Sequence, residues 1–276
     1  MRPTSVLATI VIAALLLACT TSPTGRRQFQ LMPESQLNAM GDEAYSKMKS
    51  ETPTVDSGPS VTYANCISHA LIDVVPREYR DEDWEVTVFR SDQVNAFALP
   101  GGKIGIYTGL MEVAETPDQL AAVVGHEIGH VMADHGNERV SNQMAAQLGL
   151  NVAAAVASND AKGQLLMGAL GLGTQVGVLL PFSRTHEREA DDIGLDLMAK
   201  AGFEPRESVK LWQNMAAKKG GGGPPEFLST HPANETRINN LKDQMPQAQQ
   251  AFQRARQQGR NPNCPRPDSF PKGDKA

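Results

Sequence analysis

Two histidines four residues apart inside an apolar run limit this chain more than anything else in it. Residues 124–131 read Val-Gly-His-Glu-Ile-Gly-His-Val. Polar, titratable side chains are costly in such surroundings unless they have a partner or a ligand. The start signal makes the run helical: Thr116 is a strong N-cap, Pro117 suits the first helical position, and Gln119 completes a capping box. The helix is expected to continue to near Gly136, with Leu120, Val124, Ile128 and Val131 as one apolar stripe. At about 100 degrees per residue, His126 and His130 lie roughly 200 to 240 degrees around from that stripe. One face is core, and both histidines point together from the other.

Residues four apart on a helix share a face, so His126 and His130 can reach one metal ion. Glu127 sits roughly 100 degrees to the side, where a base would take a proton from a water polarised by that ion. A catalytic zinc wants a third protein ligand and one open position. The extended pattern H-E-x-x-H-x-x-G-x-x-H does not supply it, because the chain has Ala133 and Gly136 at the required places. His135 misses the register and reads as a surface histidine. Downstream, residues 183–194 read Ser-Arg-Thr-His-Glu-Arg-Glu-Ala-Asp-Asp-Ile-Gly, with Glu187 and Asp191 on one helix face. A carboxylate ligand followed by an aspartate that holds a ligating imidazole from behind fits this spacing. A solvated acidic face fits it too; that is the reading adopted for Glu189 and Asp192, and spacing alone leaves Glu187 between the two.

These stretches, followed by Ser229-Thr230-His231-Pro232, resemble the three signatures of the HtpX/Oma-type zinc metalloendopeptidases, the gluzincin family that includes the CAAX prenyl-protein proteases. Asn95-Ala96-Phe97 with Pro100-Gly101-Gly102 resembles that family's strand beside the active site, and the similarity runs from about Pro33 to about Leu241. The resemblance implies an α+β, mainly helical fold: an active-site helix, a third-ligand helix, and a small antiparallel sheet with an edge strand at the cleft. It implies one Zn2+ per chain on His126, His130 and Glu187, Glu127 as general base, and Asp191 as support for a ligand. His231 becomes a gating or transition-state histidine. Asn95, Phe97, Ala98 and Leu99 become the edge that pairs with an extended substrate. Without the flanking spans of the integral-membrane relatives, the chain falls near the periplasmic LoiP/BepA-like branch. The implied activity is cleavage of unfolded or misassembled envelope proteins, with outer-membrane assembly machinery as a further partner. The rival is a chaperone-like envelope assembly factor with a structural or latent zinc site, for which Glu127 would have no use.

The N-terminus reads as an address. An apolar core at 6–18 follows Arg2 and ends in Leu16-Leu17-Ala18-Cys19, which resembles a lipobox. Residues 1–18 are then a lipoprotein signal peptide, Cys19 is lipidated, and 19–32 is a tether to the outer membrane on its periplasmic side. With Cys19 so used, Cys66 and Cys264 remain, and an exported compartment favours their disulfide. One metallopeptidase domain is expected over 33–264, with a disordered tail at 265–276. Strands are expected at 84–89, 95–99 and 103–108, helices packed across the active-site region at 142–180, and a mobile loop at 220–225. A net charge of −5 and 5% aromatic residues give no footing for nucleic acid.

Overall fold

The capped helix is present in the computed structural model, which describes residues 19–80, 82–157, 182–217, 226–232 and 235–273. The Thr116 side chain accepts from the Gln119 backbone N–H at 3.2 Å, while Gln119 Oε1 accepts from one residue further back, the Glu115 N–H, at 2.9 Å. The expected signal peptide, the loop at 220–225 and residues 158–180 lie outside the described residues.

In chain order the elements are strand β1 (Cys19–Thr21), β2 (Arg27–Phe29), helix α1 (Glu34–Glu51), β3 (Thr54–Val55), α2 (Pro59–Ile72), α3 (Arg77–Arg80), β4 (Glu85–Phe89), β5 (Ala96–Leu99) and β6 (Lys103–Tyr107). They continue with α4 (Thr108–Val113), α5 (Pro117–Met132), α6 (His135–Ala157), α7 (Arg184–Ala201), α8 (Arg206–Ala217), α9 (Glu226–Thr230) and α10 (Glu235–Gln257). The fold is α+β and mainly helical, and no described helix is long and apolar enough to cross a membrane.

The expected single domain at 33–264 corresponds to two compact units. The first comprises described residues 19–37 and 134–157, the second 38–133 and 182–273. In the first, the stretch expected as a tether is folded. β1 and β2 form an antiparallel hairpin with Cys19 opposite Phe29. Arg26 donates to both Glu138 oxygens at 2.9 and 2.6 Å, and the Leu31 N–H donates to Ser141 at 2.7 Å. His135, expected on the surface, is fully buried there.

The second unit holds the sheet, in the order β3-β4-β6-β5. It is mixed rather than wholly antiparallel: β4 and β6 pair in parallel, while β3·β4 and β5·β6 are antiparallel. The chain passes from β4 to the outer edge, runs back as β5, and returns β6 between them. The turn at Pro100–Gly102 needs positive φ at Gly101 (79°) and Gly102 (74°), which glycine adopts without steric cost. β5 is therefore an edge strand. Phe97 and Leu99 join Tyr45, Phe89 and Tyr107 in a small aromatic cluster, while Ala96 and Ala98 turn to the main core.

α5 stops at Met132, four residues before the expected end, because Asp134 takes a left-handed conformation (φ 50°) that ends the helical run. The tail expected as disordered is held as far as residue 273. Cys66 and Cys264 form a disulfide. Arg266 donates to the Met111, Glu112 and Ala114 carbonyls at the end of α4, at 3.2, 3.4 and 3.0 Å. Such carbonyls have no partner inside their own helix, so an arginine is a good occupant. Phe270 is buried beside Tyr63, ring centroids 6.1 Å apart.

Candidate metal centre

The site is made by two helices that approach unusually closely. An added Cβ on Gly129 would stand 2.8 Å from the Ala190 carbonyl oxygen, and one on Gly194 would stand 2.7 Å from the His126 nitrogen. α5 and α7 therefore touch backbone to backbone, and the face of α5 that carries the histidines is covered. His126, Glu127 and His130 are all buried, as are Glu187 and Asp191 on α7. Ser183 caps α7 by accepting from the His186 N–H at 3.2 Å, and Gly202 ends it at φ 90°. Those two signals fix which turn Glu187 and Asp191 occupy.

Four residues converge: His126, His130, Glu187 and His231 each offer a ligand atom, and all these atoms lie within 4.8 Å of one another. The Nε2 atoms of His126 and His130 are 3.1 Å apart. Glu187 Oε1 is 3.4 Å from His130 Nε2 and 2.8 Å from His231 Nδ1. Asp191 accepts from His126 Nδ1 at 3.0 Å, which orients the ring and leaves Nε2 toward the other donors. Two imidazole nitrogens, a carboxylate and a third imidazole nitrogen at this spacing suit a divalent cation of borderline softness. The residues fit the group.

His231 ends the α9 turn, its N–H donating to the Phe227 carbonyl at 2.8 Å. Its ring stacks on Phe227 (centroids 4.5 Å, 25°) and Phe182 (5.3 Å, 26°), so two aromatics hold it in the donor set.

Glu127 stands outside that set. Its Oε2 accepts from the Ala98 N–H at 3.1 Å, while Oε1 is buried without a hydrogen-bond partner, 3.6 Å from His231 Nε2. Burial pushes the Glu127 carboxyl up to about 7. A cation beside it would draw it back toward the ionised form. Burial also works to raise Glu187, but hydrogen bonds from His130 and His231 and the charge of His126 overcome it and hold Glu187 well below the usual carboxylate range.

The edge strand meets the site through its backbone. Tyr107 donates its N–H to the Asn95 carbonyl at 3.1 Å, which makes Asn95, Phe97 and Leu99 the residues whose main chain bonds to β6. Ala96 and Ala98 alternate with them, so their backbone N–H and carbonyl groups point away from β6 while their side chains pack on the main core. Of the four edge residues expected from sequence, only Ala98 turns its N–H to the cleft.

Glu189 is buried rather than solvated, and Asp192 is held by Gln244. Sequence reasoning missed Arg237. It is buried on α10 and donates to Glu187 Oε2 at 2.8 Å and to Asp191 Oδ1 at 2.7 Å, its guanidinium 3.3 Å above the Trp212 ring. A signal existed: Arg237 lies in the first helical turn, where the helix dipole disfavours a cation, so it needs nearby acids.

A His-Glu-x-x-His helix closed by a carboxylate from a second helix defines a gluzincin-type metal centre. The chain belongs to peptidase family M48, which it matches over residues 63–245. It is 36% identical over 232 residues to mitochondrial metalloendopeptidase OMA1 of Schizosaccharomyces pombe, covering 82% of this chain and 66% of that protein. It is 29% identical over 261 residues to metalloprotease LoiP of Escherichia coli, covering 89% of this chain and 98% of LoiP. With the beta-barrel assembly-enhancing protease of Escherichia coli it shares 28% over 217 residues, covering 74% of this chain and 42% of that protein. The chain thus spans 66% or less of the OMA1 relatives' length.

Proposed function

We propose that this protein is a zinc-dependent metalloendopeptidase anchored in the cell envelope by lipid on Cys19, acting on unfolded or misassembled envelope proteins. One observation carries the enzyme reading: Glu127 is buried beside the donor set but outside it, with one oxygen fixed by Ala98 and the other unpartnered. A merely structural metal site has no need of such a group. His126, His130 and Glu187 would hold the zinc, which when bound would supply a Lewis acid for the scissile carbonyl and for a nearby water. Glu127 Oε1 accepts a proton from that water and passes it to the departing amine nitrogen, while the Ala98 N–H keeps the carboxylate aimed. The outward backbone groups of Ala96 and the outward carbonyl of Ala98 pair with an extended peptide, so an unfolded segment fits and a folded surface does not.

His231 deepens this reading. It offers a fourth donor held by two aromatic rings: on a bound metal it would fill the place a water needs and give a latent state, and swung off the metal it would serve the transition state instead. The placement at the outer membrane, facing the periplasm, rests on the lipobox and on likeness to LoiP and the beta-barrel assembly-enhancing protease. The latter likeness also supports the outer-membrane assembly machinery as partner.

The test is digestion of unfolded casein by purified protein, with and without chelator, beside Glu127→Gln. That variant should keep zinc and lose about a hundredfold or more in rate, the ordinary worth of a general base. Parental digestion by Glu127→Gln overturns the assignment.

A further inference from the structure

The hairpin at the start of the chain has a consequence for how the protein meets the membrane. We propose that residues 19–32 are a rigid footing that seats the first unit directly on the bilayer, with Leu31 and Met144 in contact with the lipid surface. This rests on the lipidation of Cys19 proposed above.

The backbone of Cys19 is already in β1, opposite Phe29, so no slack separates a lipid on that residue from the first paired backbone. A flexible chain of residues 19–32 would let its ends wander by roughly 20 Å. Side chains from α6 remove that freedom. Glu138 accepts both Arg26 nitrogens, at 2.9 and 2.6 Å, and the Gln28 amide at 3.2 Å. Asn137 accepts from the Met32 N–H at 3.3 Å and donates to the Met32 carbonyl at 2.9 Å, and Ser141 accepts from Leu31 at 2.7 Å. Gln28, Asn137, Glu138 and Ser141 are all buried. A two-pronged arginine–carboxylate pair in that setting is directional and resists opening.

The apolar rim points the same way. Leu31 (44% exposed) and Met144 (48%) are two of the three large hydrophobic residues exposed among those described. Leu31 is bonded to Ser141, and Met144 lies three residues beyond Ser141 on α6, just under one turn. Apolar side chains beside a lipid attachment point add a second, interfacial contact to a single anchor.

The experiment uses the processed lipoprotein in vesicles of phosphatidylethanolamine and phosphatidylglycerol. Trypsin cutting after Arg26 or Arg27 severs the lipid and releases the body to the supernatant. A locked hairpin should keep the parent on the vesicles, while Glu138→Ala should be released at least about tenfold faster, because local opening governs cleavage. Equal, fast release of parent and variant overturns the footing. Amide exchange on the parent reads the same lock without a variant: residues 27–29 should be protected by at least about a hundredfold, and random-coil exchange there refutes it. For lipid contact, bimane on Met144→Cys should blue-shift on vesicles and bimane on Asn142→Cys should not; equal spectra overturn that part. Protein that never partitions onto vesicles before trypsin contradicts the lipidation of Cys19, and the amide-exchange result then still decides the footing.

Discussion

Arg237 offers the most demanding test of how the metal centre is held. Its two nitrogens bond separate carboxylates, Glu187 at 2.8 Å and Asp191 at 2.7 Å, and all three groups are buried. Arg237→Ala leaves both carboxylates without that cation, and breaking a buried ion pair from one side costs about 3–5 kcal/mol. The zinc-free protein should lose that much in denaturant unfolding. Zinc should restore part of it, since a cation on Glu187 replaces some of the lost charge. Groups that hold a ligand from behind are worth about 10- to 100-fold in metal affinity, or about 1.4–2.8 kcal/mol at the tenfold rate of about 1.4. Arg237→Lys separates charge from geometry. One ammonium cannot present two fixed donors to two acids while lying flat on Trp212, so it should keep more stability than alanine yet still bind zinc about tenfold more weakly. Competition with a chromogenic chelator gives affinity, and urea melts with and without zinc give stability. Parental zinc affinity and parental melts in Arg237→Ala would refute the reasoning.

Glu187→Ala should lose zinc by elemental analysis, whereas Glu189→Ala should keep it; equal zinc in both removes Glu187 from the ligand set. His231→Ala should keep zinc and cleave casein faster than the parent if His231 blocks the metal; a slower variant with full zinc ends the latency reading. The Cys66 and Cys264 thiols should resist alkylation until reductant is added. Breaking that bond, which spans 198 residues, should cost about 5 kcal/mol of stability in the chain-entropy model; unchanged denaturant melts after reduction would contradict it.

The parts of the fold that could be read from sequence were those whose causes are local. Thr116, Pro117 and Gln119 announce α5 within four residues, and Ser183 and Gly202 bracket α7 in the same way. What was misread depends on distant partners. Residues 19–32 look like a polar tether because Glu138, which fixes Arg26, is 112 residues away. The tail looks disordered because the carbonyls that Arg266 satisfies are 152 to 155 residues away. The parallel pairing of β4 with β6 leaves no mark in either strand's own alternation, since β5 lies between them in sequence and outside them in space.

The metal centre divides along the same line, and its glycines show why. His126, Glu127 and His130 declare themselves through helical spacing, but spacing on α7 alone left Glu187 undecided between ligand and solvated acid. In the structure the close approach of α5 and α7 buries Glu187 within reach of His130, and that approach is set by residues with no side chain. Gly125 and Gly129 lie four apart on α5, and each weakens an isolated helix by about 1 kcal/mol relative to alanine. In exchange the Ala190 and Gly194 backbones come within contact of α5, an approach any Cβ on Gly129 or Gly194 would block at less than 3 Å. Only at that separation does Glu187 reach His130 and Asp191 reach His126. Arg237 then follows as a consequence, since two acids buried that close together repel unless a cation divides them. The ligands were legible as residues; the contact that makes them a site is carried by glycines whose meaning appears only when both helices are in place.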